Sequence, residues 1–254
     1  MQMSDKGLDA MAFAPHADDV ELCCGGTLIK LAKRGYRIGC CDLTEGELGT
    51  RGTPETRRAE AERAAVIMGL EVRERLDLPD GDIVNNYANR LKIIQVLRKY
   101  RPAYVFTSYW IDRHPDHAAS SRLVTEACFY SGLRRIETGQ EPFRPKMIFY
   151  FQHRDEFESS FLVDISDEFD RKMEAVAAHV SQFYDADSSE PDTFISSNYF
   201  MEALVKRMEY YGMRIGVRYA EPFLIRQYIS VDDPLELFGK VDANRIMSTP
   251  PVER

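Results

Sequence analysis

The chain has 254 residues, 44% of them apolar and 29% charged, with a formal net charge of −8. That length allows one large α/β domain, and the acidic balance speaks against a general nucleic-acid binder while leaving room for a small anionic substrate held by local arginines. No apolar run reaches the roughly 18 residues of a membrane span, and residues 1–6 carry no apolar signal region, so a cytoplasmic protein with no membrane partner is expected.

Leu8 to Ala14 reads as a short buried strand. A helix is expected from about Asp18 to Arg34, stopped by Gly35, with carboxylates at its start to suit the helix dipole. Tyr36 to Leu43 is a second strand, and the glycine-rich 44–52 segment is a loop. Thr53 can cap a helix with Pro54 at its first position, running to Gly69. A strand over Val72–Leu78 leads into the turn Pro79-Asp80-Gly81-Asp82. Tyr87, Leu91, Ile94 and Leu97 line one face of a further helix, and Ala103–Ser108 is the fourth strand.

The second half is less regular. Lys146–Phe151 and Phe161–Asp164 read as strands. Ser166 can cap a helix carrying Phe169, Met173, Val176, Val180 and Phe183 on one side. Residues 185–197 are polar and read as a mobile loop. A helix is expected from Asn198 to Tyr211, ending at Gly212, with a last strand over Phe223–Ile229 and a frayed tail from Ser248. There is no internal repeat and no low-complexity linker, so residues 1–254 are expected to form a single domain.

Strands alternating with helices predict a Rossmann-like, mostly parallel sheet flanked by helices. Ligands of such sheets sit beyond the carboxyl ends of the strands, where strand order reverses. Two segments rich in imidazole and carboxylate follow strand ends: Pro15-His16-Ala17-Asp18-Asp19-Val20-Glu21 and Arg113-His114-Pro115-Asp116-His117. If the first and fourth strands are neighbours, the two loops converge.

His16 and Asp19 share one face of a helical turn, and His117 can join them from the second loop. Two histidines and one carboxylate are a common protein half of a catalytic zinc site, with a fourth position left to water. Asp18, beside the ligands, is then free to take a proton from that water. Either motif alone is ambiguous, since a carboxylate at a helix start is often only a cap. The other two of the five histidines, His153 and His179, read as structural. The five cysteines form no CxxC pair and read as core thiols. GxSxG, GxxxxGK[ST] and GxGxxG motifs are all absent from the sequence. Gly25-Gly26, inside the first helix, either allows close packing or is merely tolerated.

The segment from Ala14 to Glu21, followed by Gly25-Gly26-Thr27, resembles the opening motif of the zinc-dependent N-acetylglucosaminyl deacetylases of the LmbE/PIG-L-like family. Asp112-Arg113-His114-Pro115-Asp116-His117 resembles the second motif of that family. Asp42-Leu43-Thr44-Glu45-Gly46-Glu47, Gly52-Thr53 with Arg57, and Gly216-Val217-Arg218-Tyr219-Ala220-Glu221 look most like the bacillithiol-biosynthesis deacetylases. Ala17 stands where many members carry proline, as it does in the bacillithiol type. The likeness spans roughly residues 8 to 228.

The resemblance implies a Rossmann-like fold and metal ligation by His16, Asp19 and His117, with zinc, ferrous iron or another divalent metal. Asp18 would be general base. His114, oriented by Asp116, would stabilise the oxyanion or protonate the leaving amine. Arg57 would anchor a sugar hydroxyl or substrate carboxylate, Asp80 a sugar hydroxyl, and Tyr199 would be a mobile tyrosine reaching the intermediate. The implied reaction removes the N-acetyl group of an N-acetylglucosamine conjugate, with N-acetylglucosaminyl malate of bacillithiol biosynthesis first. Another glucosaminyl conjugate is the alternative within the class, and a non-catalytic sugar- or metal-binding protein of the same fold is the alternative outside it. Relatives imply a homo-oligomer, a hexamer by analogy.

Overall fold

A computed structural model describes residues 7–183 and 188–239. The expected tail from Ser248 and residues 185–187 of the expected mobile loop lie outside the described residues. In chain order the elements are β1 (Ala10–Ala14), α1 (Asp19–Lys33), β2 (Ile38–Thr44), α2 (Pro54–Met68), β3 (Val72–Leu78), α3 (Tyr87–Tyr100), β4 (Tyr104–Ser108) and α4 (Pro115–Tyr130). There follow β5 (Met147–Phe151), β6 (Phe161–Asp164), α5 (Phe169–Ala177), α6 (Asn198–Arg214), β7 (Ala220–Leu224) and α7 (Pro234–Phe238).

The strands form one seven-stranded sheet in the order β3-β2-β1-β4-β5-β7-β6. The five strands β1 to β5 pair in parallel; β7 joins β5 antiparallel, and β6 joins β7 antiparallel. Strand order reverses between β2-β1 and β4, because β1 pairs with both. Phe13 lies opposite Thr107, so the loops after β1 and β4 leave the sheet side by side. The fold class and the pairing of first and fourth strands therefore match the expectation.

Alternation along β1 serves two cores. Ala10, Ala12 and Ala14 pack with Val20, Cys24 and Leu28 of α1 and with Val176 of α5. Met11 and Phe13 face the opposite side, with Ile93, Ile94 and Leu97 of α3 and Leu123 and Val124 of α4. Every residue of β1 and β2 is buried, as expected for central parallel strands covered on both faces. Thr53 caps α2 through Thr56 N–H at 3.2 Å, and Gly69 closes it at φ +73°. A Cβ on Gly26 would stand 2.7 Å from Ile165 Cδ1, so this glycine serves close packing of α1.

Three boundaries differ from expectation. The helix expected from Ser166 to Phe183 is α5, which ends at Ala177. Glu60 takes the Ser181 N–H and Oγ–H, both at 2.7 Å, which draws the chain off the helical path and leaves Val180 exposed. Ser166 is no cap, since its Oγ accepts the Tyr219 N–H. Helix α6 runs through Gly212 to Arg214; a Cβ on Gly212 would meet the Arg218 carbonyl at 2.5 Å, so the glycine admits a returning chain rather than ending the helix. The last strand is Ala220–Leu224, not Phe223–Ile229, because its partner β6 is used up at the Phe161–Phe223 pair and Tyr228 is fully exposed.

Candidate active site

The β1–α1 turn shapes the first half of the site. Asp18 is the N-cap residue of α1, yet its side chain makes no capping bond. Asp19 Oδ2 accepts the His16 backbone N–H at 3.0 Å and stands 3.1 Å from His16 Nδ1. His16 Nε2 lies 3.1 Å from Asp80 Oδ1 and 3.6 Å from Asp116 Oδ2. The other oxygen of Asp80 accepts the Leu48 N–H at 3.1 Å. Both Asp80 oxygens are thus engaged by the protein, and Asp80, expected to accept a sugar hydroxyl, also lines the cavity.

The β4–α4 loop supplies the second half. His114 caps α4, its Nδ1 accepting the Asp116 N–H at 3.2 Å. That leaves the proton of a neutral His114 ring on Nε2. Asp116 therefore orients His114 through its backbone; its carboxylate instead accepts the Gly81 N–H at 2.8 Å. His117 Nε2 is 3.4 Å from Asp19 Oδ1, and its Nδ1 is held by Asp112 Oδ1 at 2.9 Å.

Sequence reasoning left His153 among structural histidines, and the structure places it in the site. It stacks on His117 with ring centroids 3.6 Å apart, and its Nδ1 lies 3.5 Å from Asp19 Oδ1. Ser108 Oγ at 2.8 Å and Cys23 Sγ at 3.3 Å hold its two ring nitrogens. The signal was available: His153 follows the end of β5, next to β4 in the sheet. His179 is a core residue as expected, 3.5 Å from Glu21. All five cysteines are buried, and Cys23 also lines the cavity. Arg207 of α6, also unmarked by the sequence, donates to the carbonyls of His153 and Leu22.

The electrostatics follow from these contacts. Burial opposes charge on His16, but hydrogen bonds to Asp116, Asp19 and Asp80 raise its pKa well above the ordinary histidine value. Burial also opposes charge on His117, which Asp19 and Asp112 nevertheless push up to about 9. Burial disfavours the Asp19 carboxylate, yet His117, His153 and His16 hold its pKa well below the usual range. Burial, then the charge of His117, pushes His153 down to about 3. Burial, with His117 and His16 nearby, also lowers His114 below the ordinary histidine value. The site thus favours added positive charge where His16, Asp19 and His117 each offer a donor atom within 4.8 Å of the others. A set of two imidazoles and one carboxylate, with carboxylates behind both rings, fits a divalent metal.

These groups line a cavity of about 580 Å³ together with Asp18, Arg57, Phe194 and Tyr199. Tyr199, near the start of α6, is 67% exposed, so it is not a core aromatic. Arg57 is buried in α2; its Nη1 donates to the Gly46 carbonyl at 2.9 Å and its Nη2 lies 3.7 Å from Asp18 Oδ1. Among the described residues, no helix is long and apolar enough to cross a membrane.

The PIG-L family model, described as GlcNAc-PI de-N-acetylase, matches residues 11–128, which contain both histidine motifs. The chain is 31% identical over 227 residues to diacetylchitobiose deacetylase of Thermococcus kodakarensis, covering 83% of this chain and 80% of that protein. It is 27% identical to the probable N-acetyl-alpha-D-glucosaminyl L-malate deacetylase 2 of Bacillus anthracis, over 66% of this chain and 79% of that one. The special closeness to bacillithiol enzymes expected from the motifs is therefore weak. Among solved structures, the conserved protein TT1542 of Thermus thermophilus superposes with a TM-score of 0.81 at 41% identity, covering 88% of this chain and 97% of that one. The family match and the length and identity of the alignment to the Thermococcus relative lead to one conclusion: the chain belongs to the PIG-L/LmbE family of deacetylases.

Proposed function

We propose that the cavity hydrolyses the N-acetyl amide of an N-acetylglucosamine conjugate, giving acetate and the free amine. The observation that carries this reading is Asp18, a buried carboxylate next to the ligand set and not used as a helix cap. A protein that only bound sugar or metal would need no such base.

His16, Asp19 and His117 would hold a divalent metal, zinc first and ferrous iron second. Such an ion polarises a carbonyl and lowers the pKa of water toward about 7. Asp18 takes a proton from the water whose oxygen bonds to the acetyl carbon. His114 offers its Nε2–H to the carbonyl oxygen as negative charge develops there. Because Nδ1 spends its lone pair on the Asp116 N–H, the ring carries its one proton on Nε2, and this is a hydrogen bond and not the contact of a preformed cation. Giving up that sole proton would leave an imidazolate, so Asp18 returns the water's proton to the nitrogen and the C–N bond breaks. Asp80 and Asp112 act as positioning carboxylates behind His16 and His117. Tyr199, exposed at the cavity, closes on the bound amide.

N-acetylglucosaminyl malate is the proposed substrate, supported by the motif resemblance, the Bacillus relative and the five arginines Arg51, Arg57, Arg113, Arg154 and Arg207 lining the cavity. Diacetylchitobiose is the second reading, favoured by the longer match to the Thermococcus relative. Acetate release from N-acetylglucosaminyl malate and from diacetylchitobiose tests both. Release from neither, by protein with a filled metal site, overturns the deacetylase reading.

A further inference from the structure

Arg51 stands apart from the other cavity arginines. It sits in the loop between β2 and α2 and is 3% exposed. Its guanidinium makes one hydrogen bond among the described residues, from Nη2 to Ser188 Oγ at 2.5 Å, and its buried Nε has no partner. No carboxylate among the described residues pairs with it. Glu190 accepts the Gly52 N–H at 3.4 Å instead, and the acids of the metal site are engaged by His16, His117 and Arg57. The position is nonetheless built: Gln182 Nε2 holds the Arg51 carbonyl at 2.8 Å, and Gln182 and Arg51 both line the cavity.

A guanidinium cannot shed its proton at physiological pH. Burying one without an anion costs several kcal/mol, so buried cations are almost always paired. Arg57 differs, because its charge already faces the Asp18 carboxylate at 3.7 Å and its Nη1 donates to the Gly46 carbonyl.

We propose that Arg51 is the receptor for an anionic group, carboxylate or phosphate, on the part of the substrate remote from the scissile amide. This rests on the deacetylase reading of the cavity and names the residue that selects the conjugate. The planar fork of arginine takes either anion through paired N–H···O bonds. The role that sequence likeness implies for Arg57 as carboxylate anchor passes to Arg51, and Arg57 serves Asp18.

The test measures binding of L-malate and of inorganic phosphate by calorimetry to wild type, Arg51→Met and Arg51→Lys, each metal-loaded and checked for cooperative unfolding. At least one anion is expected to bind wild type saturably, about 10–100-fold more tightly than Arg51→Met, with Arg51→Lys between. The anion that shows the difference identifies the group recognised. No saturable binding of either, or equal affinity in wild type and Arg51→Met, overturns the proposal; the latter is also the result if the anions only reach the metal. Acetate release is assayed separately on malyl and methyl N-acetylglucosaminides. No release from either, nor from diacetylchitobiose, overturns the deacetylase reading whatever the calorimetry shows. Release with a malyl-to-methyl ratio of kcat/KM that is the same in wild type and Arg51→Met overturns the role of Arg51 alone.

Discussion

The Arg57 guanidinium lies 3.7 Å from Oδ1 of Asp18, with each side chain only 7% exposed. Gly46, at φ +66°, makes room for this arrangement, since a Cβ there would fall 1.9 Å from Arg57 Nη1. A buried cation against the proposed base fixes where that base points. Arg57→Gln should therefore lower kcat by about 10–100-fold, the scale of a misplaced catalytic group, with little change in KM. Steady-state kinetics separate the alternatives: a raised KM at unchanged kcat would make Arg57 a substrate anchor instead.

Metal content should follow the ligand set. Asp19→Ala removes the carboxylate whose two oxygens face His16 and His117 and should lose most bound metal, while chelators abolish activity. His153→Ala removes the ring stacked on His117 and should weaken metal affinity by about 10–100-fold. Elemental analysis and competition with a metal indicator read both. Full metal in folded Asp19→Ala would move the site elsewhere.

Below the site, Lys172 and Glu221 form a buried pair at 2.6 Å, each 1% exposed. Glu221 also accepts the N–H groups of Gly26 and Thr27 in α1, so the pair ties α5 and β7 to the helix that carries Asp19. Lys172→Met strands the carboxylate and should destabilise the fold by about 3–5 kcal/mol, with Lys172→Met/Glu221→Gln recovering much of it. Denaturant titration checks this; equal stability of Lys172→Met and wild type would show that the pair contributes nothing.

The sheet and its switch point were legible because β1, β2 and β4 are short apolar runs bounded by turn residues. Both histidine loops then followed from the rule that ligands gather at strand ends. Local pattern failed where a distant group decided the outcome. Glu60 ends α5 through Ser181, a contact across 121 residues that no periodicity reports. Gly212 looked like a helix stop and instead admits Arg218. Asp80 sits in a turn, and only the fold brings His16 and Leu48 to its two oxygens. His153 carries no motif, and only the β4–β5 pairing sets it against His117.

The division of labour between adjacent aspartates is the central claim. Asp19 belongs to the ligand set, and Asp18, one residue earlier and uncapped, is the base. The decisive measurement is acetate release by Asp18→Asn alongside its metal content and unfolding transition. An asparagine there keeps the shape and can still accept a hydrogen bond but takes no proton at neutral pH. The variant should fold, hold metal as wild type does, and lose about 10²–10⁴ in kcat. Near wild-type turnover in Asp18→Asn with a full metal site would contradict the assignment of Asp18 as base.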